Sequence, residues 1–269
     1  MPVLTDIATL ATCRADGGQA AIHAIPDAAL AWEGDVIAWV GPKAEIPHAY
    51  AAWEHESAGG RLVIPGLVDC HTHLAFGGWR ADEFAARIRG TSYLDIARAG
   101  GGIASTVRAT RAASEDDLVK RAAGFLDEMR TLGVTTVEAK SGYGLTVADE
   151  LKTLRAYHRL SDTQPTRIVS TCLAAHIVPP EYADDRDAYV RLIMDEILPQ
   201  VADEGLARFC DVFVEDTAFT PDEARTIFSA ARRHGLRAKL HADQLTDTGG
   251  AALAAEVRAV SADHLECVS

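Results

Sequence analysis

Val63-Ile64-Pro65-Gly66-Leu67-Val68-Asp69-Cys70-His71-Thr72-His73 is the stretch on which the fold turns. Its apolar part, Leu62–Val68, follows Gly59-Gly60 and reads as a buried strand. At the C-terminal end of that strand come two histidines spaced i and i+2. Residues so spaced on a strand point the same way. Two neutral imidazoles on one side can grip one divalent cation, because ring nitrogens suit zinc or iron.

Moving outward, short apolar runs that end in a polar residue recur. Candidate strands are Val134–Ala139, Arg167–Ala174, Arg208–Val214, Arg237–His241 and Arg258–Ala262. Helical stretches lie between them. Ser114 is the N-cap of one, with an acid at N3 in a capping box; Leu118, Ala122, Phe125, Leu126 and Met129 form its apolar stripe, and Gly133 ends it. Thr220-Pro221 opens another, with proline at N1, and Gly235 stops it. Repeated strand–helix units predict a parallel sheet with right-handed crossovers.

The unusual polar residues sit at strand C-terminal ends: His71, His73, Lys140, Tyr143, His176, His241 and His264. A ring of strands gathers such ends on one face, where barrel active sites lie. An open doubly wound sheet uses the same face, but six ends spread along the chain converge more readily in a ring. The reading is therefore an α/β fold, a TIM-like (β/α) barrel over 62–269. Six strands are found where a closed barrel has eight, so the chain is expected to be truncated after about six strands. Residues 1–61 differ in texture. Runs at Ala28–Trp32 and Val36–Val40 flank Gly34-Asp35 as a hairpin, which predicts a partial β-sandwich domain.

Bulk properties narrow the function. The chain has 269 residues, 48% hydrophobic, with Lys+Arg 26 against Asp+Glu 39 and net charge −13. That balance argues against a nucleic-acid or anionic-membrane surface. An anionic substrate then needs a local basic group. Cys13, Cys70, Cys172, Cys210 and Cys267 are scattered without a CxxC pair, which fits reduced thiols and a cytoplasmic location. Met1–Cys13 lacks a basic region and carries Asp6, so it makes a poor signal peptide. No apolar run approaches the length of a membrane span.

His241 closes a strand and adds a third imidazole to His71 and His73. A catalytic zinc keeps a place open for water and draws its pKa towards neutrality. His264 is read as a fourth ligand or as the acid/base that handles the water proton. Asp263 is expected on the other face of its strand in a structural role. Gln244 cannot act as a base, but its amide can donate to one substrate atom and accept from another. Arg80, in the loop above the first strand, suits a carboxylate. Tyr143 is flanked by glycines that let backbone approach a ligand, and His176 precedes the rigid Pro179-Pro180. Gly100-Gly101-Gly102 has no Lys-Ser/Thr after it and reads as a mobile loop near the pocket rather than a phosphate cradle. Glu215-Asp216 is expected to face solvent.

With these residues assembled, the sequence resembles the amidohydrolase superfamily and, within it, the imidazolonepropionase family. The resemblance runs from about residue 62 onward. It rests on Asp69-Cys70-His71-Thr72-His73, on 97–103 and 105–114, on Lys140-Ser141-Gly142-Tyr143-Gly144-Leu145, on Pro179-Pro180-Glu181-Tyr182, on His241-Ala242-Asp243-Gln244 and on 261–265. An HxH pair is common to the whole superfamily; the Lys-Ser-Gly-Tyr-Gly and glycine-triplet segments are much narrower. The resemblance implies that His71, His73 and His241 hold one zinc or iron ion. It implies that Arg80, Tyr143 and His176 bind an imidazolone propionate, with Arg80 and Tyr143 near its carboxylate. Gln244 would contact the ring and His264 would assist proton transfer in hydrolysis of a ring C–N amide bond. A homodimer is also in keeping with it.

Relatives with two metals bridge them by a lysine ending the fourth strand. That strand here is Val212-Phe213-Val214-Glu215, so a mononuclear centre is implied, with Lys140 misplaced for bridging. Two departures stand out. Some members carry glutamate where this chain has Gln244, and the family's metal-binding aspartate of the eighth strand lies beyond Ser269. Rival readings are another cyclic-amide hydrolase or a deaminase of the superfamily, and an inactive fragment.

Overall fold

The structure, a computed structural model, describes residues 1–269 apart from 17, 19, 93, 94 and 97–99. It divides into two compact units, Met1–Gly66 and Leu67–Ser269.

The first unit is a mixed five-stranded sheet: β1 (Pro2–Ala11), β2 (Ala24–Glu33), β3 (Val36–Pro42), β4 (Glu54–Ser57) and β5 (Leu62–Val63), in the order β3-β2-β1-β4 with β5 also on β1. The β2–β3 hairpin turns at Gly34-Asp35 as expected, with Glu33 opposite Val36 and Gly34 at φ +57°. Val3, Ile7, Ala28, Ala29 and Ala31 are fully buried in it. β1, the central strand, is not among the runs expected from the sequence. Asp6 sits in its middle at φ +54°, where the pairing with β2 shifts register. A bulge of this kind breaks the alternation by which strands are recognised.

The second unit is a six-stranded parallel sheet in sequential order: β6 (Leu67–Thr72), β7 (Val134–Lys140), β8 (Arg167–Ala175), β9 (Phe209–Val214), β10 (Arg237–Ala242) and β11 (Ala262–His264). Every neighbouring pair is parallel. The sheet curls until its outer strands meet through side chains, His71 of β6 reaching Asp263 of β11 at 2.9 Å. This nearly closed barrel matches the expected α/β class. Four of the expected strands are off by a single residue, and two differ by more. Leu62–Val68 is two strands rather than one, because Pro65 has no N–H for a ladder; β5 belongs to the first unit and β6 starts at Leu67. The last strand is Ala262–His264 rather than Arg258–Ala262, and Arg258 lies at φ +55°, outside strand geometry.

Crossover segments are α1 (Ala81–Ile88), α2 (Ile103–Ala112), α3 (Glu115–Thr131), α4 (Val147–Thr163), α5 (Arg186–Leu192), a π-helical turn at Ile193–Ile197, α6 (Leu198–Asp203), α7 (Pro221–Arg233) and α8 (Gly250–Glu256). The predicted capping box of Ser114 with Asp117 is formed, and Thr220 with Glu223 forms a second one at the helix that opens on Pro221. Among the described residues no helix is long and apolar enough to cross a membrane.

Alternation along the strands sorts the second unit. Val137, Ala139, Val212, Val214, Leu240 and Ala242 face outward and join Leu118, Leu126, Leu154, Leu160, Ile227 and Leu253 in one core. Each buried leucine contributes about 1.5–3 kcal/mol relative to exposure. The intervening positions, Glu138, Lys140, Asp211, Phe213, Lys239 and His241, form the barrel interior, and most of them are ionisable. The loop after β6 packs hard on α2. A Cβ on Gly77 would stand 2.2 Å from the carbonyl oxygen of Ala109, and the Gly77 N–H donates to Thr110 Oγ1 at 2.9 Å. Gly77→Ala is therefore expected to destabilise the chain by about 1–3 kcal/mol, the usual cost of overpacking. Urea unfolding checks this; an unchanged midpoint would show that the loop yields freely.

Candidate metal centre

The C-terminal ends of the strands surround a cavity of about 630 Å³. His71, His73, Arg80, Tyr143, His176, His241, Gln244 and His264 all line it. Every site residue singled out from the sequence is thus on one wall or another of a single cleft. Arg87, one helical face along α1 from Arg80, lines it too and was not anticipated.

His241 is the hub. Its ring centroid lies 4.5 Å from that of His71, 5.5 Å from His73, 5.9 Å from His176 and 5.1 Å from His264. One ring nitrogen each from His71, His241 and His264 falls within 4.8 Å of the others, close enough to share a cation. His73 approaches from the other side, its Nε2 3.4 Å from Nε2 of His241.

Hydrogen bonds define the tautomers. His241 Nδ1 is 3.1 Å from Asp211 Oδ1 and 3.0 Å from its Oδ2; His71 Nδ1 is 2.9 Å from Asp263 Oδ2. A carboxylate only accepts, so both Nδ1 atoms carry hydrogen, and the neutral form of each ring presents its lone pair at Nε2. This is the carboxylate–histidine arrangement that orients metal ligands. His176 Nδ1 likewise donates to the Gly142 carbonyl at 2.9 Å.

A cation suits these residues. Nitrogens bound to one tetrahedral zinc at 2.0–2.1 Å stand about 3.3 Å apart, close to the 3.4 Å between His73 and His241. Burial favours the neutral form of His73 and His176. It pushes His73 well below the ordinary histidine value, helped by His176 and His241, and His176 down to about 3, helped by His241. His264 is lowered by burial and by His241 and His71.

Beneath the histidines lies an ionic layer that the sequence reading missed. Lys140 Nζ donates to Asp211 Oδ2 at 2.7 Å, Glu138 Oε1 at 2.9 Å and Asp263 Oδ2 at 3.1 Å. Lys239 Nζ donates to Glu138 Oε2 at 2.6 Å. Burial alone would raise the Asp211 carboxyl, but His241 and Lys140 outweigh it and hold the group far below the usual range; His71 and Lys140 do the same for Asp263. Asp263 was expected on the opposite face of its strand. Instead β11 pairs in register so that Asp263 stands beside His241 and shares its inward face. His264, at φ +78°, leaves the strand alternation and turns into the cavity as well.

Three buried carboxylates pin the loops of the rim. Glu150 accepts the N–H groups of Gly142, Gly144 and Leu145 at 3.2, 2.9 and 2.8 Å. Asp243 accepts those of Thr248, Gly250 and Ala251 at 3.0, 3.0 and 2.8 Å. Glu215, expected to face solvent, is buried and accepts the Leu245 N–H at 2.8 Å and the Thr246 hydroxyl. Asp216 is the exposed member of that pair. Of the glycine triplet, Gly101 lines the cavity and the Gly102 N–H is engaged by the Glu83 carboxylate at 3.0 Å; 97–99 of the same segment lie outside the described residues.

A parallel β/α barrel with imidazoles on the strand ends, two of them backed by carboxylates, defines the class of metal-dependent hydrolases. Residues 62–267 match the model of the amidohydrolase family, and the chain belongs to that family. Its sequence is 51% identical to an imidazolonepropionase of Paraburkholderia phymatum over 242 residues, which are 90% of this chain and 60% of the relative. It is 54% identical to one from Erwinia tasmaniensis with the same coverage, and 49% identical to one from Cupriavidus taiwanensis over 98% of this chain and 65% of that protein. The chain thus spans about three fifths of the length of these relatives. The fold is also similar to that of 5-methylcytosine deaminase from Klebsiella pneumoniae, with TM-score 0.64 and 17% identity, covering 95% of this chain and 55% of the deaminase. A metal-dependent hydrolase from Pyrococcus furiosus gives TM-score 0.61 at 12% identity, covering 97% of this chain and 71% of that one.

Proposed function

We propose that this chain carries the catalytic cleft of an imidazolonepropionase. Such an enzyme hydrolyses the ring C–N amide bond of 4-imidazolone-5-propanoate and yields N-formimidoyl-L-glutamate. The observation that carries the reading is the convergence of His71, His73, His176, His241 and His264 with Arg80, Tyr143 and Gln244 on one cavity. The relatives named imidazolonepropionase support the choice of substrate.

In this reading His71, His73 and His241 hold one zinc or iron ion through their unprotonated nitrogens. When bound, such an ion supplies Lewis acidity, polarising the ring carbonyl and lowering the pKa of water. His264 stays neutral near pH 7, since burial and the neighbouring imidazoles lower it, and so accepts the proton that water loses. The ring nitrogen receives a proton as the C–N bond breaks, and the carbonyl carbon gains the water oxygen. His176, bonded through Nδ1–H, offers a bare Nε2 to a ring N–H. Gln244 offers both a donor and an acceptor to the ring. Arg80 and Tyr143 meet the propanoate carboxylate. All five cysteines are free thiols, which supports a cytoplasmic setting.

Among the described residues the acidic neighbour of Arg80 is Glu83, at a distant 3.9 Å, so its guanidinium is available to a substrate. Arg80→Ala is expected to raise KM for the propanoate roughly ten- to hundredfold, the worth of a charged hydrogen bond of about 1.5–3 kcal/mol. Turnover at saturation changes much less. Steady-state kinetics decide; an unaltered KM would remove the carboxylate from Arg80.

A further inference from the structure

We propose that Lys140 is the positioning residue of this centre. One ammonium fixes both carboxylates that orient the ligand histidines. The inference rests on the metal-centre reading above, and it concerns a residue that the chemistry itself does not touch.

Lys140 Nζ is fully buried, 2.7 Å from Asp211 Oδ2 and 3.1 Å from Asp263 Oδ2. Asp211 holds Nδ1–H of His241, and Asp263 holds Nδ1–H of His71. The two imidazoles come from β6, one edge of the sheet, and β10, next to the other edge, yet their orientation passes through a single side chain. Asp211, Asp263 and His241 have ligand atoms within 4.8 Å of one another. Without a cation between them, the two carboxylates repel and swing away from their imidazoles. Lys239 cannot take over, because its ammonium is committed to Glu138 Oε2 at 2.6 Å. Released from their acceptors, His71 and His241 can carry hydrogen on either nitrogen, and an imidazole with hydrogen on Nε2 cannot ligate through that atom.

The test measures zinc affinity by chelator competition, together with ¹⁵N imidazole spectra of the metal-free protein. Lys140→Met is expected to weaken zinc binding about 10–100-fold, as outer-shell losses do, and to scramble the tautomers of His71 and His241. The double variant Lys140→Met/Asp263→Asn relieves the repulsion while keeping an acceptor for each imidazole, and should recover most of the affinity. A Lys140→Met protein with parental affinity and both Nδ1 atoms still protonated overturns the proposal. So does hydrogen on Nε2 of His71 or His241 in the unaltered chain, a result that does not require the variant to fold. If the unaltered chain binds no zinc but shows the expected tautomers, and Lys140→Met loses them, the metal reading falls and the positioning role stands.

Discussion

Replacing His241 with alanine is expected to strip the centre of metal and to lower kcat/KM roughly a thousandfold or more, about 4 kcal/mol of transition-state stabilisation. His241 is the member common to both close groupings, the trio with His71 and His264 and the pair with His73. It also carries its own support, since its backbone N–H and its Nδ1 both meet Asp211 Oδ1 at 3.1 Å. Alanine leaves Asp211 with Lys140 and the backbone N–H of residue 241, and takes away the imidazole opposite His73 Nε2. Metal analysis after dialysis and steady-state rates with the propanoate measure the two effects. A His241→Ala protein that retains a full equivalent of metal would remove this residue from the centre.

The second large effect is on stability. Glu150→Ala is expected to destabilise the second unit by about 3–5 kcal/mol, through loss of a buried charged acceptor and desolvation of its donors. Glu150 is completely buried on α4, and burial pushes its carboxyl above the usual range despite the N–H groups that it accepts. Those donors belong to Gly142, Gly144 and Leu145. The glycines cannot yield, because a Cβ on Gly142 would come within 2.8 Å of the Leu173 carbonyl and one on Gly144 within 2.5 Å of the Glu150 backbone. The segment also carries Tyr143 and, through the Gly142 carbonyl, holds His176. Denaturant unfolding should therefore show a lower midpoint, and turnover should fall with it. A midpoint within error of the parent would mean that water replaces the carboxylate without loss.

Much of this arrangement was legible in the sequence because it depends on local pattern. The i, i+2 histidines, the apolar runs before His241 and His264, and the capping residues Ser114 and Thr220 follow from strand and helix periodicity. What escaped depends on partners distant along the chain. Glu138, Asp211 and Lys239 look like ordinary charged residues in strands, and Lys140 like a strand-end lysine without partners, until the sheet curls and alternate positions become an interior. Their spacing of two was a signal, yet a strand with one wet face has the same spacing. Glu150 and Glu215 are recognisable as loop anchors only when the loops are seen to lie across them. Asp263 was misplaced because the face of a three-residue strand depends on register with its neighbour, which a single sequence does not state.

The carboxylates under the rim loops have a consequence for selectivity. Segments 142–145, 244–246 and 248–251 are each tied down by buried acceptors before any ligand arrives. Little ordering is left to be done on encounter, so little affinity is spent on it. A mouth with fixed walls sorts guests by outline: a molecule one methylene too long meets an unyielding boundary instead of a surface that moulds itself around the newcomer.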